Sequence, residues 1–116
     1  MNSQSSTSVI EHALQTYENL DCVGEIFSAQ IVWVSSRLAS SLGYTQEELQ
    51  NIHVRKFIDS LPTDFLKLFI SQYTGEQVRV KLIRKDGNRV NAAGNLTSFT
   101  YQNEPFIAIC NGIVEK

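Results

Sequence analysis

The chain has 116 residues, 42% hydrophobic and 19% charged, with a formal net charge of −2 and two cysteines. That length suits one domain able to bury somewhat more than about 60% of the surface its unfolded chain exposes, so no covalent or metal staple is needed. The slight negative charge offers no electrostatic footprint for nucleic acid or an anionic membrane, and no apolar run approaches the ~20 residues of a spanning helix. Cys22 and Cys110 stand far apart with no CxxC pair, which predicts two buried, reduced thiols rather than a zinc site or a disulfide framework.

The lead from Met1 to Thr7 is rich in Ser, Gln and Asn and is expected to be mobile. It lacks a basic segment followed by an apolar one, so no secretory signal is read there and the chain is expected to be cytoplasmic. Ser8 and Glu11 have capping-box spacing, and Ile10, Ala13, Leu14 and Tyr17 recur on one face, predicting an amphipathic helix that runs from Ser8 towards Leu20. Residues 1–20 are therefore assigned as lead and helix, and 21–116 as the main domain. Cys22 to Phe27 and Ile31 to Val34 read as strands joined by a turn at Ser28-Ala29-Gln30, with Trp33 as a packing residue.

Leu38, Ala39 and Leu42 then predict a short helix ended by Gly43, and Thr45 with Glu48 three residues on predicts a second, capped helix. Asn51 to Ile58 is expected to be a loop or a single turn anchored by Phe57 and Ile58. Pro62 or Thr63 opens a helix whose apolar face holds Phe65, Leu66, Phe69, Ile70 and Tyr73, and Gly75 ends it.

The last third is strand. Val78, Val80 and Leu82 alternate with Arg79, Lys81 and Ile83, and Asp86-Gly87 marks a hairpin. Val90, Ala92, Gly94 and Leu96 continue the same face in the return strand. Gln102-Asn103 turns the chain again, and Pro105 opens a final strand through Val114. These elements make an α+β domain with a five-stranded antiparallel sheet.

The run from Ile31 to Leu49, IVWVSSRLASSLGYTQEEL, resembles the PAS domain family in the order of strand, short helix, Gly-Tyr turn and Glu-Glu-Leu helix, and Lys85-Asp86-Gly87 falls on the family's second signature. The resemblance implies a PAS-like sheet of strand order 2-1-5-4-3, short helices on one face, and an N-terminal amphipathic helix on the other face or on a partner. Two positions depart. Ser35 stands where the family usually has Asn after the second strand, a weaker form of the same local hydrogen-bonding device. Gly112, Ile113 and Val114 stand where it ends with Asp-Ile-Thr, which removes the side chain that bonds at the junction with a following helix.

No catalytic constellation is present: there is no G-x-S-x-G, Walker loop, HExxH or neighbouring Cys and His. Adjacent Glu47 and Glu48 point in different directions on a helix, His12 and His53 read as surface residues, and Arg79, Lys81, Arg84 and Lys85 as the wet side of a strand. The chain is thus expected to be a non-enzymatic, non-metal domain. What the resemblance implies is a sensory and dimerisation module of a larger bacterial signalling protein, of histidine kinase (two-component) or diguanylate cyclase type. The alternatives are a haem- or flavin-binding PAS sensor and, more distantly, a small α+β enzyme. By the resemblance, histidine-ligated haem is disfavoured, since haem-binding members commonly take the ligand from the helix corresponding to 64–73, which has no histidine here; covalent flavin is disfavoured because photoactive members carry a cysteine in the segment corresponding to 51–58, which has none.

Alternation and the family's inward positions on the last strand together place Leu82, Ala92, Gly94, Phe106, Ala108 and Cys110 on one face, opposite Phe57, Phe65, Phe69 and Tyr73. The small residues Ala92, Gly94, Ala108 and Cys110 leave space that either these aromatics or a small apolar ligand fills. On the other face, Ile107 and Ile109 are expected under the first helix, with Ile10, Leu14 and Tyr17 forming a homodimer interface.

Overall fold

The computed structural model describes residues 2–50, 52–56, 58–60 and 74–115. The helix α1 (Asn2–Thr16) leads into strands β1 (Leu20–Glu25) and β2 (Gln30–Val34), short helices α2 (Ser36–Ser41) and α3 (Gln46–Leu49), a 3-10 turn at Val54–Lys56, and strands β3 (Ile58–Ser60), β4 (Thr74–Ile83), β5 (Arg89–Tyr101) and β6 (Glu104–Val114). The strands form one antiparallel sheet in the order β2-β1-β6-β5-β4-β3. This is the expected order with one addition. β3, which begins at the last residue of the stretch expected to be a loop or turn, pairs Ile58 with Leu82 and adds a sixth strand at the edge.

Helix α1 begins earlier and ends sooner than the capping-box spacing predicts. Ser8 and Glu11 lie inside the helix, which continues back to Asn2, because extending a docked helix costs far less than nucleating one. At the other end Asn19 takes a left-handed φ of 55° and reverses the chain, so Leu20 starts β1 instead of finishing α1. β1 shifts with it, and Ile26 to Ala29 form the turn into β2. The expected helix over 64–73 lies outside the described residues.

Two hairpins obey their turn chemistry. Gln102 and Asn103, at φ 52° and 66°, form a two-residue loop between Tyr101 and Glu104, the mirror-image geometry that suits strand twist. In the β4–β5 turn Gly87 sits at φ 91°, and Asp86 accepts from the Asn88 N–H.

The sheet separates two cores. On one face α2, α3 and the 3-10 turn cover Cys22, Ile31, Val34, Leu82 and Ala92, with Ile109 and Val114 packed alongside. On the other, Val9 and Ala13 of α1 cover Val23, Phe106, Ala108 and Cys110, flanked by Tyr17, Trp33, Phe99 and Tyr101. The first is called the inner face below, the second the outer face.

Candidate functional site

The inner face is closed at one end by the two segments that carry the sequence signatures. Ser35 caps α2, its Oγ accepting from the Leu38 N–H at 3.1 Å. Thr45 and Glu48 form the expected reciprocal capping box on α3. The β4–β5 hairpin then closes over the α2–α3 connection. The Lys85 N–H donates to Leu42 O at 2.9 Å, the Arg84 guanidinium to Ser41 O at 3.0 Å, and Lys85 Nζ to Glu48 at 2.5 Å. The side-chain bond from Lys85, followed by the Thr45 backbone N–H, holds the Glu48 carboxyl below its ordinary range. Gln46 Nε2 donates to Val34 O at 2.9 Å and ties α3 to the end of β2.

The candidate ligand residues divide between the two faces. Leu82 and Ala92 lie in the inner core as expected. Ala108 and Cys110, with Phe106, lie on the outer face beneath α1, whereas Ile109 packs into the inner core. Ile107 is Ile109's neighbour on the inner side and fills the place above Gly24, whose missing Cβ would sit 3.5 Å from Ile107 Cγ1. The two faces of β6 are therefore the reverse of the expected ones.

The cause is a bulge. Between Ala93↔Ile113 and Asn95↔Cys110 the chain advances one residue further on β6 than on β5. One unmatched residue moves every side chain beyond it to the opposite face. Asn111, at φ 54°, occupies the irregular step.

Gly94 also differs from expectation. A Cβ there would lie 2.8 Å from Ile109 Cγ2 and 3.3 Å from Cys110 O, so this glycine lets the bulged strand approach, and the space beside its Cα is taken by Ile109. Phe57, Phe65, Phe69 and Tyr73 lie outside the described residues. Among the dimer candidates, Tyr17 packs on its own sheet with its ring 5.5 Å from Phe99, Ile10 is half-buried, and Leu14 is 49% exposed. Ile107 and Ile109 do not lie under α1.

Asp21, a heavily connected polar group among the described residues, carries no signal in the sequence. Asp21 is 2% exposed and sits at the register shift of β1, between Leu20↔Cys110 and Cys22↔Ile109. Its Oδ1 accepts from Ser35 Oγ at 2.7 Å, and its Oδ2 from the Gly112 N–H at 2.6 Å and from Arg37 at 2.5 Å. Arg37 donates a second bond to Gly112 O at 2.9 Å. Gly112 suits this approach, because a Cβ there would stand 3.1 Å from Asp21 Oδ2 and the carboxylate would have to give by a few tenths of an ångström. The carboxylate therefore faces the junction where Asp-Ile-Thr is missing, but it arrives from β1. The partners lie 14, 16 and 91 positions from Asp21, spacings that no local motif reports.

Both thiols are poor nucleophiles. Burial, then the Asp21 charge, pushes Cys22 up to about 12, and the same two causes raise Cys110. They belong to opposite cores. No helix among the described residues is long and apolar enough to cross a membrane.

The fold is that of PAS domains. A PAS domain from a two-component sensor histidine kinase superposes with a TM-score of 0.71 at 10% identity, over 97% of this chain and 99% of that one. A PAS domain from Desulfitobacterium hafniense gives 0.68 at 19% identity, over 90% and 99%. The PAS domain of an HTR-like protein from Haloarcula marismortui gives 0.62 at 19% identity, over 97% and 95%. No protein-family model and no curated protein matches the sequence.

Proposed function

We propose that this chain is a non-catalytic sensory and interaction module that regulates a fused or downstream signalling output of histidine kinase or diguanylate cyclase type in the bacterial cytoplasm. The PAS fold supports the reading, and one observation carries it: among the described residues the sheet keeps two separate cores, so it is the sheet that links an event on the inner face to the outer face and α1. The inner face is the sensing side. Leu82 and Ala92 lie there, and Leu96 extends it, directly across from Ile109. Its lining is apolar, which suits a small apolar molecule better than a nucleotide or a charged metabolite.

The outer face is the association side. Leu14 projects from α1 beside a recess of about 530 Å³ lined by Gln15, Tyr17, Glu18, Asn19 and Leu20, and a second copy presenting its own Leu14 suits that recess. Native mass spectrometry and the visible spectrum of freshly purified protein test the sensing side. A small apolar adduct lost in Ala92→Leu but kept in Ala108→Leu supports it. A chain mass without adduct under all conditions removes the ligand, and absorption above the aromatic band replaces it with haem or flavin. Light scattering tests the association side: Leu14→Glu should convert a dimer into a monomer, and a monomeric unmodified chain excludes the dimer.

A further inference from the structure

Asp21 is a buried carboxylate that the sensing and association surfaces leave unused. It collects donors from separate parts of the fold: Ser35, which caps α2; Arg37, in the first turn of α2; and the Gly112 N–H, near the end of β6. Arg37 closes the ring by bonding Gly112 O, and the Ser35 N–H closes a second by donating to Asp21 O at 2.8 Å. The surrounding backbone is arranged for this contact. β1 and β6 are both out of register here, and Asn19 and Asn111, joined by a bond from Asn111 N–H to Asn19 O at 2.9 Å, both have left-handed φ.

We propose that Asp21, Ser35 and Arg37 form a latch that makes the start of α2 and the last residues of β6 move as one body, so that displacement of α2 on the inner face is transmitted to the C-terminal end of the sheet. The latch is asymmetric. Asp21 is buried while the Arg37 side chain is 60% exposed, so the carboxylate is the fixed centre and Arg37 is the arm that can leave it for water. When the arm leaves, Gly112 loses a partner on its carbonyl, and Asp21 keeps only the Ser35 hydroxyl and the Gly112 N–H. Guanidinium suits the latch because two separate nitrogens of one flat fork reach the Gly112 carbonyl and the Asp21 carboxylate, whereas an ammonium would have to bring both acceptors to a single atom. The proposal concerns coupling inside the fold and goes beyond the sensory reading, which it does not require.

Amide hydrogen exchange on the whole chain tests it, with two helix-cap variants as a matched pair. Ser35→Ala and Thr45→Ala each remove one cap hydroxyl, but only Ser35 touches Asp21. The latch predicts that Ser35→Ala speeds exchange at Gly112, Ile113 and Val114 by roughly tenfold, the equivalent of one hydrogen bond to a charged group, while Thr45→Ala leaves them unchanged. Arg37→Gln should produce the same acceleration with the α2 cap intact, and Arg37→Lys should not restore protection. The proposal is overturned if Ser35→Ala affects only α2, if Thr45→Ala accelerates Gly112 to Val114 equally, or if Arg37→Gln leaves those amides as protected as before.

Discussion

Two polar clusters hold the helices to the sheet, and they are built on opposite terms. Thr45, Glu48 and Lys85 lie at the surface, with Glu48 38% and Lys85 55% exposed, and join α3 to the β4–β5 hairpin. Asp21, Ser35, Arg37 and Gly112 join β1, α2 and β6 around a carboxylate that is 2% exposed. Water competes for every bond in the first cluster and screens its ion pair, so each part contributes no more than an ordinary helix cap or surface ion pair does. In the second, water is excluded from the carboxylate, and losing a partner leaves a buried group unsatisfied. The surface cluster sets where the hairpin rests; the buried one fixes the register of two strands.

The sharpest way to break this contrast is Asp21→Ala. It removes the acceptor of three bonds and should cost about 3 kcal/mol or more, read as a fall in the urea midpoint; a cost below that of Thr45→Ala would contradict the contrast. Next is Gly94→Ala, whose new methyl meets Ile109 at 2.8 Å and should cost about 1–3 kcal/mol by overpacking. Gly24→Ala, with 3.5 Å to its nearest neighbour, should be tolerated in the same assay. Thr45→Ala should cost about 1 kcal/mol, the usual value of a helix N-cap.

The smallest effect is the pH dependence of the Glu48–Lys85 pair. The folded-state pKa of Glu48 is lowered, chiefly by Lys85, so its contribution is complete above the unfolded carboxylate value and is lost as pH falls through the folded one. Lys85→Met should therefore lower stability slightly at neutral pH, where the contribution is complete, and leave strongly acid pH unchanged, so that the acid limb of the profile flattens. A large change at neutral pH would move this pair into the class of the Asp21 cluster.

Most of the fold was legible because its signals are local. The Thr45–Glu48 capping box, the Gly87 and Gln102-Asn103 turns and the alternation of Val78, Val80 and Leu82 each involve neighbours in sequence, and each stands where it was read. Ser35 also keeps the role of the missing Asn as a helix cap, and adds the bond to Asp21. The candidate site was less legible. Strict alternation carries a face along a strand only while the register holds, and the bulge at Asn111 exchanged Ala108 and Cys110 with Ile107 and Ile109. Cys110-Asn111-Gly112 did contain a signal, since an Asn-Gly pair suits left-handed backbone, but within a strand pattern it reads equally as a continuation. Small size misled at Gly94, where the space serves the neighbouring strand. Asp21 gave no signal, because its meaning depends on Gly112 at the far end of the chain.

Which residues of β6 face the helices decides which of them can touch a ligand, and methyl-to-methyl NOEs measure that directly. In a methyl-labelled sample Ala108 should show contacts to Val9 or Ala13 of α1, and Ile109 to Val34 or Leu96 on the inner side. Contacts from Ala108 to Leu82 or Ala92, together with contacts from Ile109 to Ala13, would contradict the assignment of the two faces and return Ala108 and Cys110 to the sensing side.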